Sequence, residues 1–207
     1  MQRYRRAFRE KVIPRFYSGR AHLIIFFLLE MIALVWTGAQ VDWTLGSPFF
    51  ILLTLAYATT FTYFLHRFIL HRRVPGFSWA HKMHHWHHTF YTSGVMEYDE
   101  LDDVYMLLMP PWIQVFYYLV YLPLLIVILK PLLPMALVLH FIFAMTLWYA
   151  LYESVHWVSH LPLDHVLLKV PGLRWMRQHH QVHHSRLKDV ANFGIVEPGL
   201  DFFRTKK

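Results

Sequence analysis

Histidines are concentrated in four short segments of the sequence, at spacings that are typical of metal ligands. The segment 81–90 reads HKMHHWHHTF and contains five histidines within eight positions. The four patterns are H-x4-H, H-x2-HH, H-x3-H and H-x2-HH, and they begin at His66, His81, His156 and His180. Histidine is polar and a mediocre helix former, so packing alone does not explain such segments. The pattern predicts metal binding.

The spacings indicate two metal ions if the segments are helical. Residues four apart differ by roughly 40° around a helix, so His156 and His160 share a face. Adjacent histidines diverge by roughly 100°, which is too wide for one ion but suits two neighbouring ions. His66 and His71 are five apart, diverge by roughly 140° and pose the same problem. The simplest arrangement is a dimetal site to which each segment contributes.

The second pattern can be placed in two registers, and spacing alone leaves both open. His81, His84 and His85 form H-x2-HH, and His84 forms the same pattern with His87 and His88. Single histidines outside the segments are expected to be structural or interfacial. These are His22, His140 and His165.

Four apolar stretches precede or separate these histidine segments and must position them. Each stretch is near the ~20 residues that a helix needs to cross a bilayer. A soluble bundle of 207 residues would lack the polar surface to cover four such helices. The sequence therefore predicts an all-α, multi-pass membrane protein with about four transmembrane helices and a histidine-rich helical cap that holds the dimetal site. The stretches are 22–38, 48–65, 108–129 and 134–155.

The distribution of basic residues predicts the orientation in the membrane. Of the 20 Lys and Arg residues, only Lys130 lies in the loops 39–47 and 130–133. The positive-inside pattern then places both termini and all four histidine segments in the cytoplasm. The net charge of +7 suits anionic headgroups, and no nucleic-acid module is visible. The first stretch lacks a small-residue cleavage site, so it is expected to be an anchor.

The chain is expected to be a single membrane domain, 1–207, because no linker interrupts it. It contains no cysteine, which excludes disulfides, iron–sulfur clusters and cysteine-based zinc sites. A zinc protease is not expected, since H-E-x-x-H is absent. The predicted parts are a basic N-terminus (1–21), a helical hairpin (22–65), a histidine segment (66–105), a second hairpin (106–155) and a second histidine segment (156–207).

These motifs resemble the fatty acid hydroxylase superfamily of integral-membrane di-iron enzymes, which includes sterol desaturases and fatty acid, sphingolipid and carotenoid hydroxylases. The resemblance covers about residues 66 to 205. HRFILHRRVPGFSWAHKMHH (66–85) is similar to the first two histidine boxes and HWVSH (156–160) to the third. The part of HHQVHHSRLKDVANFGIVEPGLDFF (179–203) that begins at His180 is similar to the last. The additional WHH at 86–88 and the acidic run EYDELDD at 97–103 fit none of these elements.

The resemblance implies a ligand set and a cofactor. It implies two iron ions, with zinc as a substitute, and about five imidazoles for each metal. It leaves His87, His88 and His179 outside the ligand set. The implied ligands are His66, His71, His81, His84, His85, His156, His160, His180, His183 and His184. Candidate acceptors for their free ring N–H groups are Glu97, Asp99, Glu100, Asp102, Asp103, Glu153 and Asp189.

The resemblance also implies an O2-dependent oxidoreductase, most simply a hydroxylase that inserts oxygen into a C–H bond of a fatty acyl, sphingoid, sterol or carotenoid chain. A desaturase, or a carotenoid hydroxylase or ketolase, would use the same site. The chain has no flavin or nicotinamide fingerprint, so a separate cytochrome- or ferredoxin-type electron donor is expected. A pigment- or haem-binding subunit is the alternative of another class, but it would need only isolated histidines such as His140.

Overall fold

The computed structural model describes residues 2–44, 46–185, 192–196 and 200–201. Within these ranges the chain forms eight α-helices and no β-strand. Two π-helical turns extend or join them: Leu65–Leu70 continues α3, and Tyr117–Tyr121 joins α5 to α6. The helices are α1 (Gln2–Val12), α2 (Gly19–Gly38), α3 (Ser47–Phe64), α4 (Ser78–Phe90), α5 (Pro111–Phe116), α6 (Leu122–Leu129), α7 (Met135–Val158) and α8 (Pro171–His183).

Four of the helical segments are long and apolar enough to cross a membrane. Large apolar side chains on their outer surfaces stay exposed, among them Leu28, Val35 and Val127. Such surface is unfavourable in water by about 25 cal/mol per Å², and the acyl chains of a bilayer are its natural environment. The predicted all-α, multi-pass fold is confirmed. The four spans are Gly19–Gly38, Ser47–Leu70, Pro111–Leu129 and Met135–Val158.

Helix α7 occupies the centre of the bundle and packs against α2, α3, α6 and α8. Its buried residues Val138, Ile142 and Met145 form an apolar core with Ala58 of α3 and Leu122 of α6. This core fixes the rotation of α7 about its axis. The histidines at the C-terminal end of α7 therefore face the bundle interior.

The N-terminal helix α1 binds the acidic run 97–103, which matches no motif of the resemblance. Arg5 is 1% exposed and donates hydrogen bonds from Nη1 to Glu97 O at 2.8 Å and to Asp99 Oδ2 at 2.9 Å. Arg9 forms a two-pronged ion pair with Asp103, at 2.6 Å from Nε to Oδ1 and 2.8 Å from Nη2 to Oδ2. Such fork geometry is the strongest form of an arginine–carboxylate contact. The acidic run therefore holds α1 against the histidine-rich end of the bundle.

A close backbone approach joins α2 to the same acidic run. A Cβ on Gly19 would lie 1.8 Å from Leu101 O, so no other residue fits there without movement of the backbone. The amide of Gly19 donates to Asp102 Oδ1 at 2.8 Å. The N-terminal end of the first span therefore packs against the 3-10 helix Leu101–Met106, close to the histidine segments.

Candidate metal centre

Nine histidines from all four segments converge at one end of the bundle and form two groups. Within each group the candidate ligand atoms lie within 4.8 Å of one another. We call them the first and the second histidine group. The first consists of His66, His71, His84, His88 and His183, and the second of His87, His160, His180 and His184.

A π-helical turn brings His66 and His71 together. On an α-helix their five-residue spacing would splay the rings by roughly 140°. The segment Leu65–Leu70 is instead π-helical, and the His71 amide donates to His66 O at 3.3 Å. A π-helical turn is wider than an α-helical one and links residues five apart by a hydrogen bond, and the ring centroids of His66 and His71 lie 5.1 Å apart. The obstacle that α-helical geometry predicted for the H-x4-H pattern is therefore absent.

Two adjacent histidine pairs, 87–88 and 183–184, are divided between the two groups. On α4, His88 belongs to the first group and His87 to the second. After the same pattern on α8, His183 belongs to the first group and His184 to the second. This is the arrangement that a divergence of roughly 100° between neighbouring residues predicts.

The third histidine segment, 156–160, contributes His160 to the second group and places His156 next to that group. His160 is fully buried, and its Nε2 lies 3.1 Å from His180 Nε2. His156, one turn earlier, lies at the edge of the group, with its Nε2 3.3 Å from His87 Nε2. Both belong to the C-terminal end of α7 and the turn after it, which the apolar core of the bundle orients.

The distances between Nε2 atoms match the distances between ligands of one metal ion. In the first group, His84 Nε2 lies 2.9 Å from His71 Nε2 and 3.0 Å from His88 Nε2. In the second, His184 Nε2 lies 3.0 Å from both His87 Nε2 and His180 Nε2. Two nitrogens bound at right angles to one ion, each about 2.1 Å away, are about 3.0 Å apart. The donors therefore already have the spacing of a coordination shell.

Backbone carbonyls fix the tautomers of three of the four rings of the second group. A carbonyl oxygen only accepts hydrogen bonds, so a ring Nδ1 that faces one carries the proton and its Nε2 carries a lone pair. His87 Nδ1 faces Met106 O at 2.9 Å, His160 Nδ1 faces Met96 O at 2.6 Å, and His184 Nδ1 faces Tyr91 O at 2.6 Å. The Nε2 lone pairs then converge and repel one another unless a cation binds among them. The residues present fit a metal ion.

The first group follows the same rule at His66, which is fully buried. His66 is 1% exposed and directs Nδ1 to Phe193 O at 2.7 Å. Its Nε2 lies 3.1 Å from His84 Nε2. The carbonyl belongs to the segment 192–196, far along the chain. The position of that segment therefore fixes the orientation of the His66 ring, which the π-helical turn after α3 provides.

The protonation state of the rings also suits a metal. Burial, with additional repulsion from neighbouring rings, lowers the pKa of His71 to about 2. The same causes lower the pKa of six further histidines of the two groups well below 6.5, so these rings are neutral at neutral pH. These are His84, His87, His88, His160, His180 and His184. Neutral imidazole is the form that binds metals.

Besides His156, three histidines of the four segments lie outside both groups. His81 directs Nδ1 to Leu70 O at 2.8 Å, and His85 is exposed at the surface of α4. His179 is buried and pairs with Asp201, at 3.2 Å from Nε2 to Oδ2. Of the two registers that spacing leaves open, the structure brings His84, His87 and His88 together. His81, His84 and His85 have the same i, i+3 and i+4 spacing, so no signal in the sequence selects between the two registers.

The carboxylates proposed as acceptors for ring N–H groups have other partners. Glu97 binds Arg177 at 3.1 Å, Glu100 binds Arg9 at 3.0 Å, and the remaining acids of the run bind α1 or Gly19 as described above. Asp189 lies outside the described residues. Backbone carbonyls, which no side-chain pattern reveals, take the predicted role.

The isolated histidines have structural contacts, as expected for single positions. His140 directs Nδ1 to Ala136 O at 2.6 Å and Nε2 to Ser47 Oγ at 2.7 Å. His22 contacts the Tyr17 hydroxyl at 2.7 Å and Met109 O at 3.1 Å. Both nitrogens of each ring are therefore engaged, which leaves neither ring free to bind a haem or pigment metal.

A narrow cavity reaches both histidine groups. Its lining includes His84 of the first group and His87 of the second, together with His156 at the edge. Trp79 is exposed, while the other lining residues are buried or half-buried. Apart from the histidines, the wall consists mainly of apolar side chains: Leu70, Trp79, Ala80, Met83, Met106, Leu107, Leu108, Met109 and Ile195.

Comparison with known proteins supports a specific family. The sequence model described as "Fatty acid hydroxylase" matches residues 50–205, about three quarters of the chain. The matched region contains all four histidine segments, the third and fourth membrane spans and most of the second. Neither the curated proteins nor the solved structures gave a match.

Proposed function

Because the chain belongs to the fatty acid hydroxylase family, we propose that it is an O2-dependent hydroxylase that inserts oxygen into a C–H bond of a lipid chain. The family makes it a metal-dependent membrane oxidoreductase of the hydroxylase or desaturase type. The proposal adds the reaction, the lipid substrate and the identity of the metals.

Two iron ions are proposed as the cofactor, one for each histidine group. The five rings of the first group would hold one ion, and the four rings of the second group, with His156 beside them, would hold the other. This assignment takes His87 and His88 in place of His81 and His85. When bound, ferrous iron in an all-imidazole site with open positions supplies the reducing electrons and the binding sites for O2. Zinc accepts the same donors and is the expected substitute.

The cavity that reaches both groups is the observation that carries the proposal. It brings His84 and His87, one member of each group, to the same wall. Its apolar side chains exclude water and can hold a hydrocarbon chain by shape. The exposed Trp79 lies against Trp112 at the start of the third span, with ring centroids 5.5 Å apart. Tryptophan is enriched at membrane interfaces, which supports entry of a lipid from the bilayer.

A lipid analysis of cells that express the protein tests the proposal. We expect products with one added oxygen atom, and cells that express His180→Ala should lack them, since that change removes a ring of the second group. The exposed His85→Ala serves as the matched control and should keep the products. Products that lack two hydrogens instead would assign a desaturase, and no change in any lipid would contradict the proposal.

A separate electron donor is part of the proposal, because each O2 activation consumes reducing equivalents that the chain does not supply. Arg72, Arg73 and Arg174 are exposed and can steer an acidic cytochrome or ferredoxin. Arg177 is buried against Glu97, and residues 186–188 lie outside the described residues. The purified protein with O2 and lipid alone should stop after the bound iron is oxidised. Sustained turnover without a donor would contradict this part.

A further inference from the structure

Glu153 is a buried carboxylate beside the metal centre that the proposed ligand set does not use. It lies on α7, is 2% exposed and lines the cavity that reaches both histidine groups. Its Oε2 accepts a hydrogen bond from the Met109 amide at 3.0 Å. Among the described residues, its Oε1 accepts none.

We propose that Glu153 binds the polar end of the substrate by accepting a hydrogen bond from a hydroxyl or N–H group of the lipid. The inference rests on the proposed function, since it takes this cavity as the substrate site. Oε1 accepts no hydrogen bond from the described residues, and the apolar residues Leu70, Met83 and Leu108 of the same cavity wall have no side-chain donor. A lipid that brings a donor into the cavity satisfies this oxygen.

Glu30 shows how the same bundle treats a buried carboxylate that is structural. It is 4% exposed, with Oε1 bound by Gln114 Nε2 at 2.7 Å and Oε2 bound by the Tyr118 hydroxyl at 2.6 Å. Both oxygens therefore have a side-chain donor, and Glu30 is not part of the cavity wall. Glu153 differs in both respects.

The position of Glu153 also predicts which part of the lipid is oxidised. Glu153 and His156 are three residues apart on α7, so their Cβ atoms are about 5–6 Å apart. Trp79, the exposed residue of the wall, marks the mouth of the cavity. The lipid would enter with its polar end first and leave its chain at the mouth. The oxidised carbon is then only a few bonds from the hydrogen-bond donor.

Competition binding tests the role of Glu153 without turnover. Iron-loaded protein in detergent, kept free of O2, is labelled with a photoreactive octadecanol and challenged with unlabelled octadecanol or with octadecyl methyl ether, which lacks a donor. Wild type should prefer the alcohol by roughly 10- to 100-fold. Glu153→Gln keeps an oxygen for Met109 but turns a donor toward the ligand, so the preference should disappear. Glu30→Gln should keep it.

Two results would overturn the inference: equal competition by alcohol and ether in wild type, or an unchanged preference in Glu153→Gln. If Glu153→Gln does not fold, crosslinking of wild type carries the test. A diazirine next to the hydroxyl should label the peptide that contains Glu153 and His156, and one at the chain end should label the region of Trp79; the reverse would overturn the inference. A retained preference without any lipid oxidation would refute the proposed function alone.

Discussion

The Nε2 atoms of His87 and His184 lie 3.0 Å apart, although neither ring has a proton to share between them. Each directs its Nδ1 to a backbone carbonyl, Met106 O for His87 and Tyr91 O for His184, so both Nε2 atoms carry lone pairs. Burial lowers the pKa of both rings and disfavours a proton there. A metal ion is the species that makes this arrangement favourable.

Removal of the metal should therefore destabilise the protein markedly. We expect a chelator to lower the thermal midpoint of the purified protein by several degrees or more, because a ligand that binds only the folded state adds its binding free energy to stability. Differential scanning fluorimetry with and without chelator measures the shift, and added ferrous iron or zinc should reverse it. An unchanged midpoint in protein shown by elemental analysis to have lost its metal would contradict the prediction.

Substitution of His88 tests the register of the second histidine pattern. His88→Ala should reduce the metal content from about two ions per chain to about one, because it removes a member of the first group. His85→Ala, on the exposed side of the same helix, should leave the content unchanged. Elemental analysis of the purified variants measures both. Loss of metal in His85→Ala with retention in His88→Ala would restore the register that the family resemblance implies.

The spans were predictable from the sequence because each is a continuous apolar run, a signal that does not depend on tertiary contacts. The division of His183 and His184 between the two groups was also predictable, because it follows from helical geometry, whereas His85 of the predicted pair 84–85 joins neither group. The π-turn at Leu65–Leu70 was not, since no residue type marks it. The choice between His81 and His88 depends on how α4 docks, and both registers fit the pattern equally well. The hydrogen bonds from His87 and His184 to the carbonyls of Met106 and Tyr91 could not be predicted either, because every residue has a backbone carbonyl and no residue type marks these two.

Arg5 should stabilise the second histidine group from a distance. Besides its contacts with Glu97 and Asp99, its Nη2 donates to Val95 O at 3.0 Å, next to Met96, whose carbonyl faces His160. Arg5→Gln should lower the free energy of unfolding by about 2–4 kcal/mol, because it leaves buried acceptors without a donor.

The same variant should also lose metal from the second group more readily than from the first, since Met96 O and Tyr91 O lie in the segment that Arg5 holds. Chelator titration followed by elemental analysis compares the rates of loss. Arg6→Gln, at the exposed neighbouring position of α1, is the matched control and should resemble wild type. Equal stability of the two variants would show that Arg5 does not hold this segment.

The orientation in the membrane remains a prediction from the charge distribution, and single cysteines can test it because the chain has none of its own. Trp43 lies in the loop between the first two spans and is 59% exposed, and Lys11 is exposed near the end of α1. One span, Gly19–Gly38, separates the two positions. Trp43→Cys should react with an impermeant thiol reagent in intact cells, and Lys11→Cys should react only after permeabilisation. Labelling of Lys11→Cys in intact cells would place the N-terminus, and with it the metal centre, on the outer side.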